Sequence, residues 1–162
     1  MKPARGSAHA ARPGRIRRLR LEIFLPYRLA VVAREISASL ARKYEKQFGI
    51  SIPEWRVLAH LAEVGKCSSG DICARTAMDK AMVNRAVTRL AAAGLVTAAT
   101  STEDRRLNVL TLSPQGRALY DRVMPVALDH ETELVDALTA AERDSLLNML
   151  DKLQRRVAAL RR

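Results

Sequence analysis

The chain predicts a mainly α fold with a small β-hairpin wing, that is, a winged helix-turn-helix joined to a helical dimerisation region. Three observations carry this. Three short helices, each opened by its own capping signal, follow one another between Ser51 and Ala93. The periodicity then changes from helical to strand-like. Long amphipathic helices lie on either side of this block.

The first long helix runs from Leu25 to Phe48, with apolar residues at Leu25, Leu29, Val32, Ile36, Leu40, Tyr44 and Phe48. Pro26 suits its first turn and Gly49 stops it. Ser51-Ile52-Pro53-Glu54 is a capping box that opens a short helix with Trp55, Leu58, Ala59 and Leu61 inward, closed by Gly65. Ser68-Ser69-Gly70-Asp71 opens a second, ending near Arg75. Thr76-Ala77-Met78-Asp79 opens a third, through Ala93, stopped by Gly94. Leu95 to Ala98 and Leu107 to Leu112 then read as strands, and the polar loop between them ends in Glu103-Asp104-Arg105-Arg106, a hairpin with a charged tip. Ser113-Pro114 caps a helix to about Leu138, and Pro125 is the place for a bend within it. Thr139-Ala140-Ala141-Glu142 caps the last, which carries Leu146, Leu147, Leu150, Leu153, Val157 and Leu160.

Composition and charge point to the same class. Hydrophobic residues make up 48% and aromatics only 4%, with Ala and Leu dominant, a mix that favours helix. The formal charge is +11, which usually marks a polyanion partner. Residues 1–20 hold seven bases and no acid, among Pro3, Gly6, Pro13 and Gly14; this segment reads as a disordered basic arm. The remaining chain carries 21 bases against 17 acids and is only mildly basic. The organisation expected is therefore an arm over 1–20 and one domain over 21–162. Within it, 21–50 and 113–162 supply dimerisation helices and 51–112 forms a DNA-binding lobe. A monomer would leave the apolar stripes of the long helices wet, so a second copy is the expected cover.

The third short helix carries the chemistry. At 3.6 residues per turn, Val83, Ala86, Val87 and Leu90 share one side and face the other two short helices. The opposite side carries Met78, Ala81, Arg85 and Thr88, flanked by Met82, Asn84 and Arg89, with Asp79 and Lys80 in the first turn. Arg can bond bidentately to guanine, Asn to adenine, and a Thr methyl can meet a thymine methyl, so this face suits the major groove. An ordinary solvated helix surface is the alternative. The hairpin tip favours DNA, because a narrow minor groove attracts an inserted arginine.

The order and spacing of several segments resemble the multiple-antibiotic-resistance-regulator (MarR) family of winged-helix transcription factors. They are Leu25-Pro26-Tyr27-Arg28-Leu29, Pro53-Glu54-Trp55-Arg56-Val57-Leu58, Met78-Asp79-Lys80 to Arg89-Leu90, Gly94-Leu95-Val96, Asp104-Arg105-Arg106 and Leu110-Thr111-Leu112-Ser113-Pro114-Gln115-Gly116. The resemblance spans roughly 21–160. It implies a homodimer joined by the first and last two helices, a recognition helix in the major groove and a wing in the minor groove. It implies DNA contacts from Lys80, Asn84, Arg85, Thr88 and Arg89, with Arg105 at the wing tip, positioned by Asp104, and Arg106 beside it. It also implies a pseudo-palindromic operator, repression, and release by a small phenolic or anionic ligand. The sequence departs from the family where Ala91 replaces a frequent acid, and where Thr97, Ala98 and Ala99 replace arginines entering the wing. The arginine-rich arm is the expected compensation.

Other classes find little support. Asp71 and Asp79 are cap residues, no Gly-rich phosphate loop occurs, and no nucleophile sits with a base, so no enzyme is expected. His9, His60 and His130 have no metal-ligand spacing, and no cofactor is expected. His60 is read as a surface or satisfied histidine, Trp55 as core packing, Cys73 as a small apolar residue, and Cys67 as a turn residue open to exposure. Two cysteines six apart suit a reduced cytoplasmic chain. The run after Arg20 is too short for a secretory core, and no apolar stretch spans a membrane. Two further functions stay open: a winged-helix module that binds protein, and a sequence-blind architectural nucleic-acid binder driven by the arm.

Overall fold

The computed structural model describes residues 18–100 and 108–160. A 3₁₀ turn (Leu21–Ile23) precedes α1 (Leu25–Phe48), α2 (Ile52–Val64), β1 (Lys66–Ser68), α3 (Ser69–Arg75), α4 (Lys80–Ala92), β2 (Val96–Thr100), β3 (Asn108–Leu112), α5 (Pro114–Val135) and α6 (Ala140–Leu160). The chain divides into two compact units, residues 1–35 and 36–162. Most of the basic arm, residues 1–17, lies outside the described residues, as does the hairpin tip, 101–107.

In the first unit no described residue is buried, and Leu19, Leu21, Ile23, Phe24 and Leu25 are all exposed.

The second unit holds the hydrophobic core. Val57, Leu58 and Leu61 of α2, Ile72 of α3 and Val83, Ala86 and Leu90 of α4 close on one another, with Tyr44 of α1, Val96 of β2, Leu110 of β3 and Val123 of α5. Each fully buried aliphatic side chain contributes about 1.5–3 kcal/mol relative to exposure. The capping signals at Ser51, Ser68 and Thr139 act as the sequence implies. Glu54 Oε2 accepts from the Ser51 backbone N–H at 2.7 Å. Asp71 Oδ2 accepts from Ser68 N–H at 2.8 Å, and Glu142 Oε2 from Thr139 N–H at 2.8 Å. These bonds hold the Asp71 and Glu142 carboxyls below the usual carboxylate range, because they favour the charged form.

Three boundaries differ from expectation. A short strand, β1, follows Gly65 and completes a three-stranded antiparallel sheet in the order β1-β3-β2. Lys66-Cys67-Ser68 pairs with Val109-Leu110-Thr111, so Cys67 lies half-buried in a strand rather than in a turn. Three residues between a glycine and a cap are too few to show a period. Thr76 ends α3 instead of opening α4: its Oγ1 donates to the Ile72 carbonyl at 2.7 Å. Asp79 is the N-cap of α4, and its Oδ1 accepts from Met82 N–H at 2.7 Å. Helix α5 stops at Val135, leaving Leu138 in the turn, and Pro125 sits inside the helix without ending it.

The junction of α4, β2 and α5 is closely built. Gly94 takes φ +70°, the left-handed conformation that turns the chain out of α4. Ser113 donates its N–H to Leu95 O at 3.0 Å and its Oγ–H to Gly94 O at 2.6 Å. The same Oγ accepts from Gly116 N–H at 2.9 Å. Between α1, α2 and α5, Trp55 stacks on Tyr120 at 5.7 Å and lies 6.0 Å from Tyr44. Arg117 sits over the Tyr120 ring and donates to Ala62 O at 3.3 Å, tying α5 to the end of α2. Cys73 packs half-buried against the core, as expected. His60 does not sit at the surface: it is buried in α2, and its Nε2 has no hydrogen-bond partner among the described residues. The α2 periodicity accounts for this, since His60 lies three and one residues from Val57 and Leu61 and shares their inward side.

Helix α6 is built differently. None of its residues is buried, although its apolar stripe includes Leu146, Leu150, Leu153 and Val157.

Candidate nucleic-acid interface

Helix α4 separates two chemistries cleanly. Val83, Ala86 and Leu90 are buried, while Lys80, Asn84, Arg85, Thr88 and Arg89 are all exposed. The steps between exposed residues repeat the helical period, so the five form one polar face along the helix. Lys80, Arg85 and Arg89 make the face cationic, while the Asp79 carboxylate is engaged at the cap. The face is presented rigidly because the other side of the helix is anchored in the core.

Met78 departs from its expected place on the outward face: it is only 7% exposed. The wheel fails there because Met78 precedes the helix. Asp79 is extended (φ −78°, ψ 167°), which redirects the preceding side chain into the core. Met78 and Val83 occupy the positions of a hydrophobic staple, and both belong to the buried cluster.

Strands β2 and β3 pair from Val96↔Leu112 to Thr100↔Asn108, the register of a hairpin stem. Thr97 and Thr111 share a hydroxyl–hydroxyl hydrogen bond of 2.8 Å across it. The three tip residues expected to touch DNA, Asp104, Arg105 and Arg106, lie outside the described residues.

One feature of this face is absent from the sequence reading. The N-terminus of α2 abuts α4, and a cavity of about 180 Å³ opens between them, lined by Ser51, Pro53, Glu54, Met82, Arg85, Ala86 and Arg89. Glu54 Oε1 lies 3.9 Å from Arg89 Nη1. The carboxylate is nearly buried, with its side chain 10% exposed, whereas the Arg89 side chain is 72% exposed. In sequence Glu54 is fully explained by its capping role, so only the tertiary structure connects it to Arg89.

Among the described residues no cluster of three His, Cys, Asp or Glu could hold a metal, and no helix is long and apolar enough to cross a membrane.

A helix-turn-helix with a three-stranded sheet and an exposed, cationic polar face on its last short helix defines a winged-helix DNA-binding protein. Comparison with known proteins makes the class narrower. Residues 48–107 match the family model described as MarR family. The chain is 29% identical over 131 residues to the HTH-type transcriptional repressor Rv2887 of Mycobacterium tuberculosis, covering 80% of this chain and 91% of the relative. It superposes on a MarR/EmrR family transcriptional regulator from Acinetobacter sp. ADP1 with a TM-score of 0.80, at 26% identity over 87% of this chain and 99% of that one. It also resembles Bordetella bronchiseptica BpsR, whose structure concerns regulation of DNA binding by 6-hydroxynicotinic acid (TM-score 0.66, 27% identity, 78% of this chain and 98% of that one). Residues 48–107 therefore form a MarR-family winged-helix domain, and the chain as a whole is similar to DNA-binding transcription regulators of that family.

Proposed function

We propose that the protein is a cytoplasmic, homodimeric repressor that binds a pseudo-palindromic operator and releases it on binding a small phenolic or anionic ligand. The observation that carries the DNA reading is the α4 face: five exposed polar side chains opposite three buried apolar ones. Arg85 and Asn84 serve base edges, Thr88 a thymine methyl and Lys80 phosphates, with Arg89 at the edge of the same face. The hairpin tip, with Asp104, Arg105 and Arg106, enters the adjacent minor groove, and the arm over 1–20 adds phosphate contacts.

The dimer reading rests on α6. A helix with no buried residue and an exposed row of Leu146, Leu150, Leu153 and Val157 has a face that a second copy would cover. The domain assignment follows: residues 21–50 and 113–162 dimerise, and 51–112 bind DNA. Repression is supported by the relative Rv2887, which is a repressor. The ligand class is supported by BpsR, whose regulator 6-hydroxynicotinic acid is both a hydroxylated aromatic and an acid.

The test is binding to a short duplex selected from a random pool, against a shuffled duplex, with the stoichiometry measured by sedimentation. One dimer per selected duplex, bound at least about a thousandfold more tightly than the shuffled one, is the expected result. Equal and steeply salt-dependent binding to both would replace the proposal with a sequence-blind architectural role. Absence of binding to either, with 6-hydroxynicotinic acid and related acids absent, would indicate a protein-interaction module.

A further inference from the structure

Resting on the DNA reading above, we infer that Glu54 is a positioning residue for specificity: through its ion pair it restrains Arg89 at the α2–α4 edge of the recognition face and withholds that guanidinium from indiscriminate phosphate binding.

The geometry is unusual for a DNA-facing surface. A carboxylate stands beside a cationic face that is to meet phosphates, which on charge alone weakens binding. Its Oε2 is fully engaged, accepting from Ser51 N–H at 2.7 Å and Ser51 Oγ–H at 2.8 Å. Its Oε1 is directed to Arg89 Nη1 at 3.9 Å. The carboxylate is therefore locked by the α2 cap and cannot follow the arginine; the arginine must come to it. Arg89 is the long, otherwise exposed partner, and an unrestrained arginine on a surface samples many rotamers. Arg85, the other arginine lining the same cavity, has no such tether in the described structure. The two arginines of the face are thus unequal: Arg85 is free to read, and Arg89 is held at the rim. A buried carboxylate that served only the cap would be equally served by a glutamine, since either residue completes a capping box.

Glu54→Gln separates the two roles, because the amide oxygen can still accept from Ser51 while the charge is gone. Binding is measured for the native chain, E54Q, R89Q and the E54Q/R89Q double variant, on the selected and the shuffled duplex, between about 50 and 200 mM salt. E54Q is expected to bind the shuffled duplex more tightly, with its log–log salt slope steeper by about 0.9 for each guanidinium released. Its preference for the selected duplex falls several-fold, and the double variant returns the slope to that of R89Q. R89Q alone is expected to lose affinity for the selected duplex while leaving the slope on shuffled DNA nearly unchanged. That comparison stands even if E54Q fails to fold.

An E54Q slope equal to the native one, with affinity for both duplexes reduced in parallel, makes Glu54 a cap and nothing more. An R89Q loss of about 0.9 per subunit in slope on both duplexes likewise overturns the restraint. These outcomes are distinct from failure of the DNA reading itself: a native chain that binds neither duplex overturns both.

Discussion

Replacing Gly116 by alanine sets two rules against each other. Gly116 lies in the first turn of α5, where alanine is favoured over glycine by about 1 kcal/mol on helix propensity alone. Packing gives the opposite sign. A Cβ at this position would fall 1.9 Å from Leu95 O and 2.9 Å from Leu95 C. Both atoms are backbone, so no rotamer change relieves the overlap. Leu95 cannot simply retreat: its N–H donates to Leu90 O at 2.9 Å and its carbonyl accepts from Ser113 N–H at 3.0 Å. Moving α5 away instead strains the Ser113 bonds to Gly94 O and Leu95 O. Overpacking of this kind costs about 1–3 kcal/mol, and one or two displaced hydrogen bonds add about 1 kcal/mol each. Less the propensity gain, G116A should lose roughly 1–4 kcal/mol, lowering Tm by roughly 2–16 °C for a chain of this size. Thermal unfolding followed by circular dichroism, at one fixed protein concentration, measures it. A Tm within about 2 °C of the native value would show that the α4–β2–α5 junction is looser than described.

Three further outcomes are expected. Leu150→Asp places a charge in the exposed stripe of α6, where a partner copy would bury it. Sedimentation should show a helical monomer in place of a dimer, and an unchanged dimer would remove α6 from the interface. Asp79→Ala deletes the α4 cap bond to Met82 N–H and should cost about 0.5–2 kcal/mol in chemical denaturation, with no loss meaning that water caps the helix equally well. Tyr44 responds to alkali. Burial, with Glu45 adding to it and Arg56 opposing, pushes its phenol up to about 12, above the ordinary 10.0. The unfolded chain loses this proton first, so stability is full below pH 10 and falls as pH rises from 10 to 12, by roughly 2 kcal/mol. Y44F should flatten that part of the profile, and an identical profile would assign the alkaline loss to other groups.

Much of the fold was legible because its signals are local. Each of α2, α3 and α6 begins one residue after a Ser or Thr cap paired with Glu or Asp, and Gly49 and Gly65 end α1 and α2 where the sequence places them. The polar face of α4 was legible for the same reason, since Lys80, Asn84, Arg85, Thr88 and Arg89 follow from one period and one starting point. What sequence missed is tertiary or short. Strand β1 exists only because β3 offers its other edge to three residues. Met78 turns inward because its neighbour is extended, a reversal a helical wheel cannot express. The Glu54–Arg89 pair joins positions 35 apart, and Gly116 owes its identity to the Leu95 backbone oxygen in the turn between α4 and β2.

The most direct test of the central claim is base readout by Arg85. Native protein and Arg85→Ala are compared on every single base-pair variant of the selected duplex. If α4 lies in the major groove with Arg85 on a base edge, the variant loses about 1–3 kcal/mol of discrimination at one symmetry-related pair of positions. Those positions should lie about one helical turn apart, roughly 34 Å, with preferences elsewhere unchanged. A uniform loss on all sequences would reduce Arg85 to a phosphate contact, and no loss at all would show that the exposed face of α4 does not read DNA.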